Sequence, residues 1–173
     1  MSDSKWRVAT RTDAEAIAEI YNQGIDDRVA TFEVDHRSAD DILSWFDQDR
    51  PVVIVERDGD VAGYAAAFVY RDRLCYSGVG EFSVYVSRNY RGRGIGRVAL
   101  DGLIAHCRER GFWKLLSRIF PENEASLALC REAGFRVVGT YERHGKLDGD
   151  WRDVIIVEKL IDDTSGDTLG PNR

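Results

Sequence analysis

The stretch Glu81-Phe-Ser-Val-Tyr-Val-Ser-Arg-Asn-Tyr-Arg91-Gly-Arg-Gly-Ile-Gly96 constrains the fold of this 173-residue chain more than any other segment. It begins as a strand, because Phe82, Val84 and Val86 alternate with Glu81, Ser83 and Tyr85. It then breaks into a turn containing Arg91, Gly92, Arg93, Gly94 and Gly96. A helix follows at once, its apolar positions Leu100, Leu103, Ile104 and Cys107 spaced i, i+3, i+4, i+7. A glycine-rich turn between a strand and a helix N-terminus gathers several backbone N–H groups in a small volume. Together with the positive end of the helix dipole they form an anion site. Arg91, Arg93 and Arg97 add full positive charge beside it. The chemistry is that of a pyrophosphate cradle.

Two common phosphate loops do not fit. A P-loop needs Lys-Ser/Thr after its last glycine, whereas Gly96 is followed by Arg97-Val98. A dinucleotide fingerprint needs Gly-x-Gly-x-x-Gly early in a repeated βαβ layout. Gly92-x-Gly94-x-Gly96 has the wrong spacing and sits mid-chain. The segment Arg91-Gly-Arg-Gly94-Ile-Gly96 after a Val-rich strand resembles the acetyl-coenzyme A loop of the GNAT N-acetyltransferase superfamily. The plain alternative is a tight connection whose glycines serve only the turn. The glycines and arginines together exceed what a turn needs.

The length suits one domain with a full core. The net charge of −6 disfavours nucleic-acid binding through bulk charge. Part of the acidic excess lies in Asp162, Asp163 and Asp167, while Arg88, Arg91, Arg93 and Arg97 cluster around the glycine loop. That local reversal of sign suits an anionic cofactor. Cys75, Cys107 and Cys130 are scattered, which argues against a disulfide framework or a zinc site. The opening Met-Ser-Asp-Ser-Lys-Trp is too polar for a signal peptide, and no apolar run approaches membrane-spanning length. A cytoplasmic location with no membrane partner is the expectation.

Elsewhere the pattern predicts a strand at Trp6–Ala9 and a helix opened by a Thr12/Glu15 capping box and running to Asn22 or Asp26. A second helix is opened by Ser38 and Asp41, and strands are expected at Pro51–Glu56 and Val61–Tyr70 around a turn at 57–60. After the long helix, Ile95–Arg110, Gly111 acts as a C-cap. A strand at Leu115–Phe120, a helix at Glu122–Ala133 and a strand pair at Phe135–Tyr141 and Trp151–Lys159 complete the layout. We read residues 1–161 as a single domain and 162–173 as a polar, frayed tail. This order implies an α/β fold with a mixed sheet flanked by helices, which is also the GNAT layout. In that family the sheet splays after the strand that precedes the glycine loop, and the pantetheine arm of the cofactor enters the opening.

Asn123-Glu-Ala-Ser-Leu-Ala-Leu-Cys-Arg-Glu-Ala-Gly-Phe135 resembles the second GNAT signature. Alone it is a capped amphipathic helix with a glycine stop; one strand after the first signature, it strengthens the resemblance. Thr31-Phe32-Glu33, Glu81 within its strand, and Gly145 through Gly149-Asp-Trp-Arg-Asp153-Val resemble the phosphinothricin N-acetyltransferase group. That group includes enzymes acting on methionine sulfoximine, methionine sulfone and arsinothricin. The resemblance runs from Arg7 to Leu160. It implies an acetyl-CoA-dependent N-acetyltransferase acting on a small amino-acid-like acceptor and conferring resistance, with no metal, in a homodimer.

Residue roles follow from the resemblance and from side-chain chemistry. The backbone of Val84, Tyr85 and Val86 would bind pantetheine. Arg91, Gly92, Arg93, Gly94, Ile95 and Gly96 would hold pyrophosphate, and Asn123 and Ser126 would lie near the pantetheine arm. Glu81, a carboxylate in an otherwise uncharged strand, is the candidate base that delivers a neutral amine. Cys130 stands where many relatives carry the acid, a tyrosine or histidine; its other reading is a small core residue. Arg71 and Arg73 are candidate clamps for the oxyanions of the acceptor. Phe32, Glu33 and Tyr76 would wall the pocket. The rival readings are acetylation of a protein N-terminus and a non-catalytic acyl-CoA sensor, the latter weakened by the presence of Glu81.

Overall fold

The computed structural model describes residues 4–162; residues 163–173, where most of the polar tail was expected, lie outside the described residues. The elements are β1 Lys5–Val8, α1 Ala14–Asp27, α2 Ala39–Asp47, β2 Val52–Arg57, β3 Asp60–Val69, β4 Val79–Val86, α3 Ile95–Glu109, β5 Lys114–Ile119, α4 Glu124–Glu132, β6 Arg136–Leu147 and β7 Asp150–Leu160. They build a seven-stranded sheet in the order β1-β2-β3-β4-β5-β7-β6. Every neighbouring pair is antiparallel except β4 and β5.

Local chemistry sets the element ends. The Ser38 side chain accepts from the Asp41 N–H and the Asp41 carboxylate accepts from the Ser38 N–H, the expected capping box of α2. At the first helix the box falls two residues earlier than expected. Asp13 accepts from the Thr10 N–H and is held by Arg7 through two hydrogen bonds of 2.8 and 2.9 Å. A carboxylate fixed on a guanidinium fork outcompetes Glu15 for the cap. Both tight hairpins turn on Asp-Gly with positive φ, Asp58 (55°) and Gly59 (89°), then Asp148 (50°) and Gly149 (87°). That dipeptide favours a turn whose twist matches the strands it joins.

The central strands of the sheet are covered on both faces. Val53, Val55, Ala65, Phe82 and Leu115 pack under α3 with Leu100 and Leu103. Ile54, Tyr64 and Ala66 pack on the opposite face against Ile17, Ile20 and Ile42 of α1 and α2. The odd residues of β2 thus face one layer and the even residues the other, as strand geometry requires. A third cluster joins Phe120 to Leu147, Val154 and Ile156, with Phe32 packed against it. It anchors the last hairpin beside the loop that follows α1.

Candidate active site

The sheet opens where its one parallel pairing fails. The β4–β5 register runs Val79↔Lys114, Gly80↔Leu115 and Glu81↔Leu116 and then stops, although β4 continues to Val86 and β5 to Ile119. Ser117, buried at 8% exposure, bridges the start of the gap: its Oγ donates to the Phe82 carbonyl at 2.9 Å. That bond fixes which way β4 faces. The Phe82 carbonyl points to the β5 side, so by alternation the amides of Val84 and Val86 do also. Tyr85 is turned the other way. Its carbonyl lies 2.9 Å from the position a Cβ on Gly63 of β3 would take, and the Ser87 N–H bonds to the Ala62 carbonyl. The Val84 backbone and the Val86 N–H are therefore turned toward the gap, the Val86 carbonyl accepts from Arg91 Nε at 3.3 Å, and the Tyr85 backbone is turned away.

A cleft of about 370 Å³ occupies the gap. Its walls include Phe32, Glu33, Glu81, Val84, Ser117, Arg118, Phe120, Asn123, Ser126 and Cys130. Glu81 and Tyr85 project to the α1 side of β4, while Phe82 and Val84 project to the α3 side. The Tyr85 ring stacks on Tyr64 at 5.5 Å and meets Tyr21 at 5.1 Å. It also lies against α1 at Gly24, where any Cβ would come within 2.5 Å of it. Burial pushes the Tyr21 and Tyr85 phenols up, and a hydrogen bond to Thr31 works against that in both. Beneath them, the Tyr64 hydroxyl is buried with no partner among the described residues.

Glu81 is half-buried in this cleft with its side chain 17% exposed. Arg118 holds it: Nε is 2.7 Å and Nη2 2.5 Å from Oε1. The remaining Arg118 nitrogen, Nη1, lies 3.4 Å from His144 Nε2 on the last hairpin. Arg118 and Ser117 escaped the sequence reading. The available signal was a lone charge inside Leu-Leu-Ser-Arg-Ile, and only the pairing of β5 with β4 sets it opposite Glu81.

The glycine loop sits at the other end of the gap. Gly92 and Gly94 have φ of 72° and 79°, and nothing lies within 4 Å of where their Cβ atoms would be. Gly94 caps α3, so the first N–H groups of that helix face this open space. The charge around the loop differs from expectation. Arg88 and Arg91 both bind Asp27 at the end of α1, each at 2.7 Å. Burial opposes ionisation of Asp27, yet those two hydrogen bonds hold its carboxyl below the usual range. Arg97 is tied to Asp101 and to the Glu132 carbonyl. Arg93 rests on the Tyr90 ring with no carboxylate partner among the described residues. The positive charge read from the sequence is thus partly offset, by the distant Asp27, which Arg88 and Arg91 share, and by Asp101 one turn beyond Arg97.

Asn123 serves as N-cap of α4, accepting from the Ser126 N–H at 3.1 Å, and both residues border the cleft. Cys130 is 3% exposed and belongs to the core under the cleft. Burial pushes its thiol up to about 11. Phe32 meets Phe120 edge-on at 4.8 Å, and Glu33 is paired with Arg37. Arg71, Arg73 and Tyr76 are not brought to the cleft wall. Arg71 lies over Tyr70, Arg73 lies over Tyr76, and those two rings pack against each other. Among the described residues no group of three or more His, Cys, Asp and Glu side chains could hold a metal ion, and no helix is long and apolar enough to cross a membrane.

Residues 16–135 match the acetyltransferase (GNAT) family. An L-amino acid N-acyltransferase of Escherichia coli is 32% identical, covering 95% of this chain and 98% of its own length. A phosphinothricin N-acetyltransferase of Alcaligenes faecalis is 34% identical over 95% of this chain and 85% of its own. An acetyltransferase of Salmonella typhimurium, solved with its cofactor acetyl-CoA, superposes with a TM-score of 0.89 at 29% identity over 99% of each chain. With a sheet that parts beside a carboxylate and a glycine loop at the helix it feeds, this chain belongs to the GNAT acetyltransferase family and is an N-acetyltransferase.

Proposed function

We propose that the protein transfers acetyl from acetyl-CoA to the α-amino group of a small amino-acid-like acceptor of the phosphinothricin, arsinothricin or methionine sulfoximine type. The observation that carries this reading is the position of Glu81. Glu81 is the last residue of β4 paired with β5, at the mouth of the gap, and the backbone turned toward the gap begins at Val84, beyond the Ser117–Phe82 bond. Acetyl-CoA supplies an activated acyl group as a thioester. The amides of Val84 and Val86 suit the pantetheine arm, and the N–H groups of Gly92 to Gly96 suit the pyrophosphate. Glu81 takes a proton from the acceptor ammonium, so that nitrogen attacks as a neutral amine; the N–C bond forms, the C–S bond breaks with its electron pair on sulfur, and the proton that nitrogen then sheds passes through solvent to the departing CoA thiolate. Phe32 and Phe120 wall the acceptor side.

Cys130 serves packing in this scheme. A thiol that keeps its proton up to about 11 is a poor donor to a departing thiolate, whose reference value is ~8.5. N-acetylation removes the ammonium of an amino-acid-like toxin, which supports a resistance role. Trp151 (54% exposed) and Tyr141 (53%) on the last hairpin leave an apolar surface suited to a homodimer, and light scattering at micromolar concentration tests that assembly. The catalytic reading is tested by CoA thiol release over a panel of amino acids and analogues, with the parent and Glu81→Gln. Turnover of amino-acid acceptors that collapses in the variant supports it; no turnover with any amine overturns it.

A further inference from the structure

We propose that Arg118 binds the α-carboxylate of the acceptor and so selects free α-amino acids over peptide N-termini and simple amines; this rests on the acetyl-transfer reading above. Among the described residues that line the cleft, Arg118 is the only cation. Arg37, Arg28 and Arg152 pair with Glu33, Asp148 and Glu122 and do not line the cleft. Arg118 is held from both sides of the gap, by Glu81 on β4 and by His144 on the last hairpin. Its side chain remains 44% exposed, against 17% for Glu81.

The pairing geometry points to a zwitterion. Both Arg118 bonds fall on Oε1 of Glu81, which leaves Oε2 for an ammonium. The carboxylate and the guanidinium are in direct contact, so their charges are about as close as two side chains allow. An α-amino acid carries its ammonium and carboxylate on one carbon, the closest spacing a small molecule offers. It can therefore set its ammonium on Glu81 and its carboxylate on Arg118 at once, closing a ring of alternating charges. The Nε–Nη2 edge of the guanidinium is on Glu81, and the second N–H of Nη2 with one N–H of Nη1 offers the acceptor carboxylate the other edge of the fork. A peptide N-terminus or simple amine brings only the ammonium, and Arg118 gains nothing from it. The edge-on pair Phe32 and Phe120 beside this site fits the acceptor's side chain.

The test compares L-methionine sulfone with its α-carboxamide, which keeps the amine and side chain but removes the negative charge. Both are assayed with acetyl-CoA, the parent, Arg118→Ala and Arg118→Lys, and each variant is referred to the parent for the same acceptor. Loss of a charge-assisted bond predicts a rise of about ten- to a hundredfold in the KM for the acid in Arg118→Ala. The rise for the amide should be at least tenfold smaller. Arg118→Lys keeps the charge without the fork and should recover part of the loss. Equal losses for acid and amide would overturn the proposal, assigning Arg118 to holding Glu81 alone. No loss for either would overturn it too, since Arg118 would then not touch the acceptor. If the parent acetylates neither these two nor any amine of the wider panel, the acetyl-transfer reading falls and this inference with it.

Discussion

The cofactor wall and the acceptor wall that we propose for the cleft are built in different ways. The cofactor wall is one continuous run, from Val84 through Gly96 into α3. Its donors are backbone groups, aimed by strand alternation and by glycines at positive φ. The acceptor wall is assembled from four separate places: Phe32 after α1, Glu81 on β4, Arg118 and Phe120 at the end of β5, and His144 on the last hairpin. Its working groups are side chains. Backbone binding tolerates sequence drift outside the turn, whereas each acceptor contact depends on a single residue. Common chemistry with varied acceptors is what such a division permits.

The largest effect that would break this comparison is at Glu81. Glu81→Gln keeps the shape and removes the base, so kcat/KM should fall by about a hundredfold or more while acetyl-CoA affinity by calorimetry stays near that of the parent. Equal loss of cofactor binding would mean the two walls are not separable. On the cofactor side, Gly94→Val requires a β-branched residue at a φ of 79°, where L residues are strained. We expect the chain to fold and the acetyl-CoA Kd to rise more than tenfold; an unchanged Kd would remove the cradle from the cofactor wall.

A smaller effect should appear at the hinge between the walls. Ser117→Ala leaves the Phe82 carbonyl without its partner, a cost of about 1–3 kcal/mol for a buried group. Thermal melting should register it, and acetyl-CoA should bind a few-fold more weakly as the edge of β4 loosens. The smallest effect belongs to Cys130. Burial holds Cys130 up to about 11 and Cys107 up to about 12, while Cys75 is exposed. A thiol reagent at pH 8 should therefore label Cys75 fast and the other two slowly, and Cys130→Ala should change kcat by less than about threefold. A hundredfold loss would make Cys130 the acid.

The sequence made the strand, glycine turn and helix of β4 and α3 legible because their residues are neighbours in the chain. Period-two alternation, the turn glycines and the helix stripe all fall within about two dozen positions. Glu81 was visible for the same reason, as a charge in an apolar strand. Arg118 carries the same kind of signal in a strand with no motif beside it, and nothing in the sequence singles it out. Arg71 and Arg73 were singled out for their place in the chain, just before β4. In the structure their guanidinium groups settle on Tyr70 and Tyr76 instead. Likewise the arginines of the loop looked free until Asp27, more than sixty residues earlier, proved to bind two of them.

By itself, then, the sequence determined what depends on local backbone chemistry: the order of strands and helices, the Ser38 cap, the Asp58-Gly59 turn and the glycine turn that leads into α3. Those are set by short-range sterics and hydrogen bonds that a few consecutive residues settle among themselves. The tertiary structure alone decided which charges meet. The parallel pairing of β4 and β5 ends after Leu116, and that single event opens the cleft, turns the Val84 amide into it and sets Arg118 against Glu81. Ion pairing falls off with distance in space, not along the chain, so these partnerships exist only once the sheet has assembled.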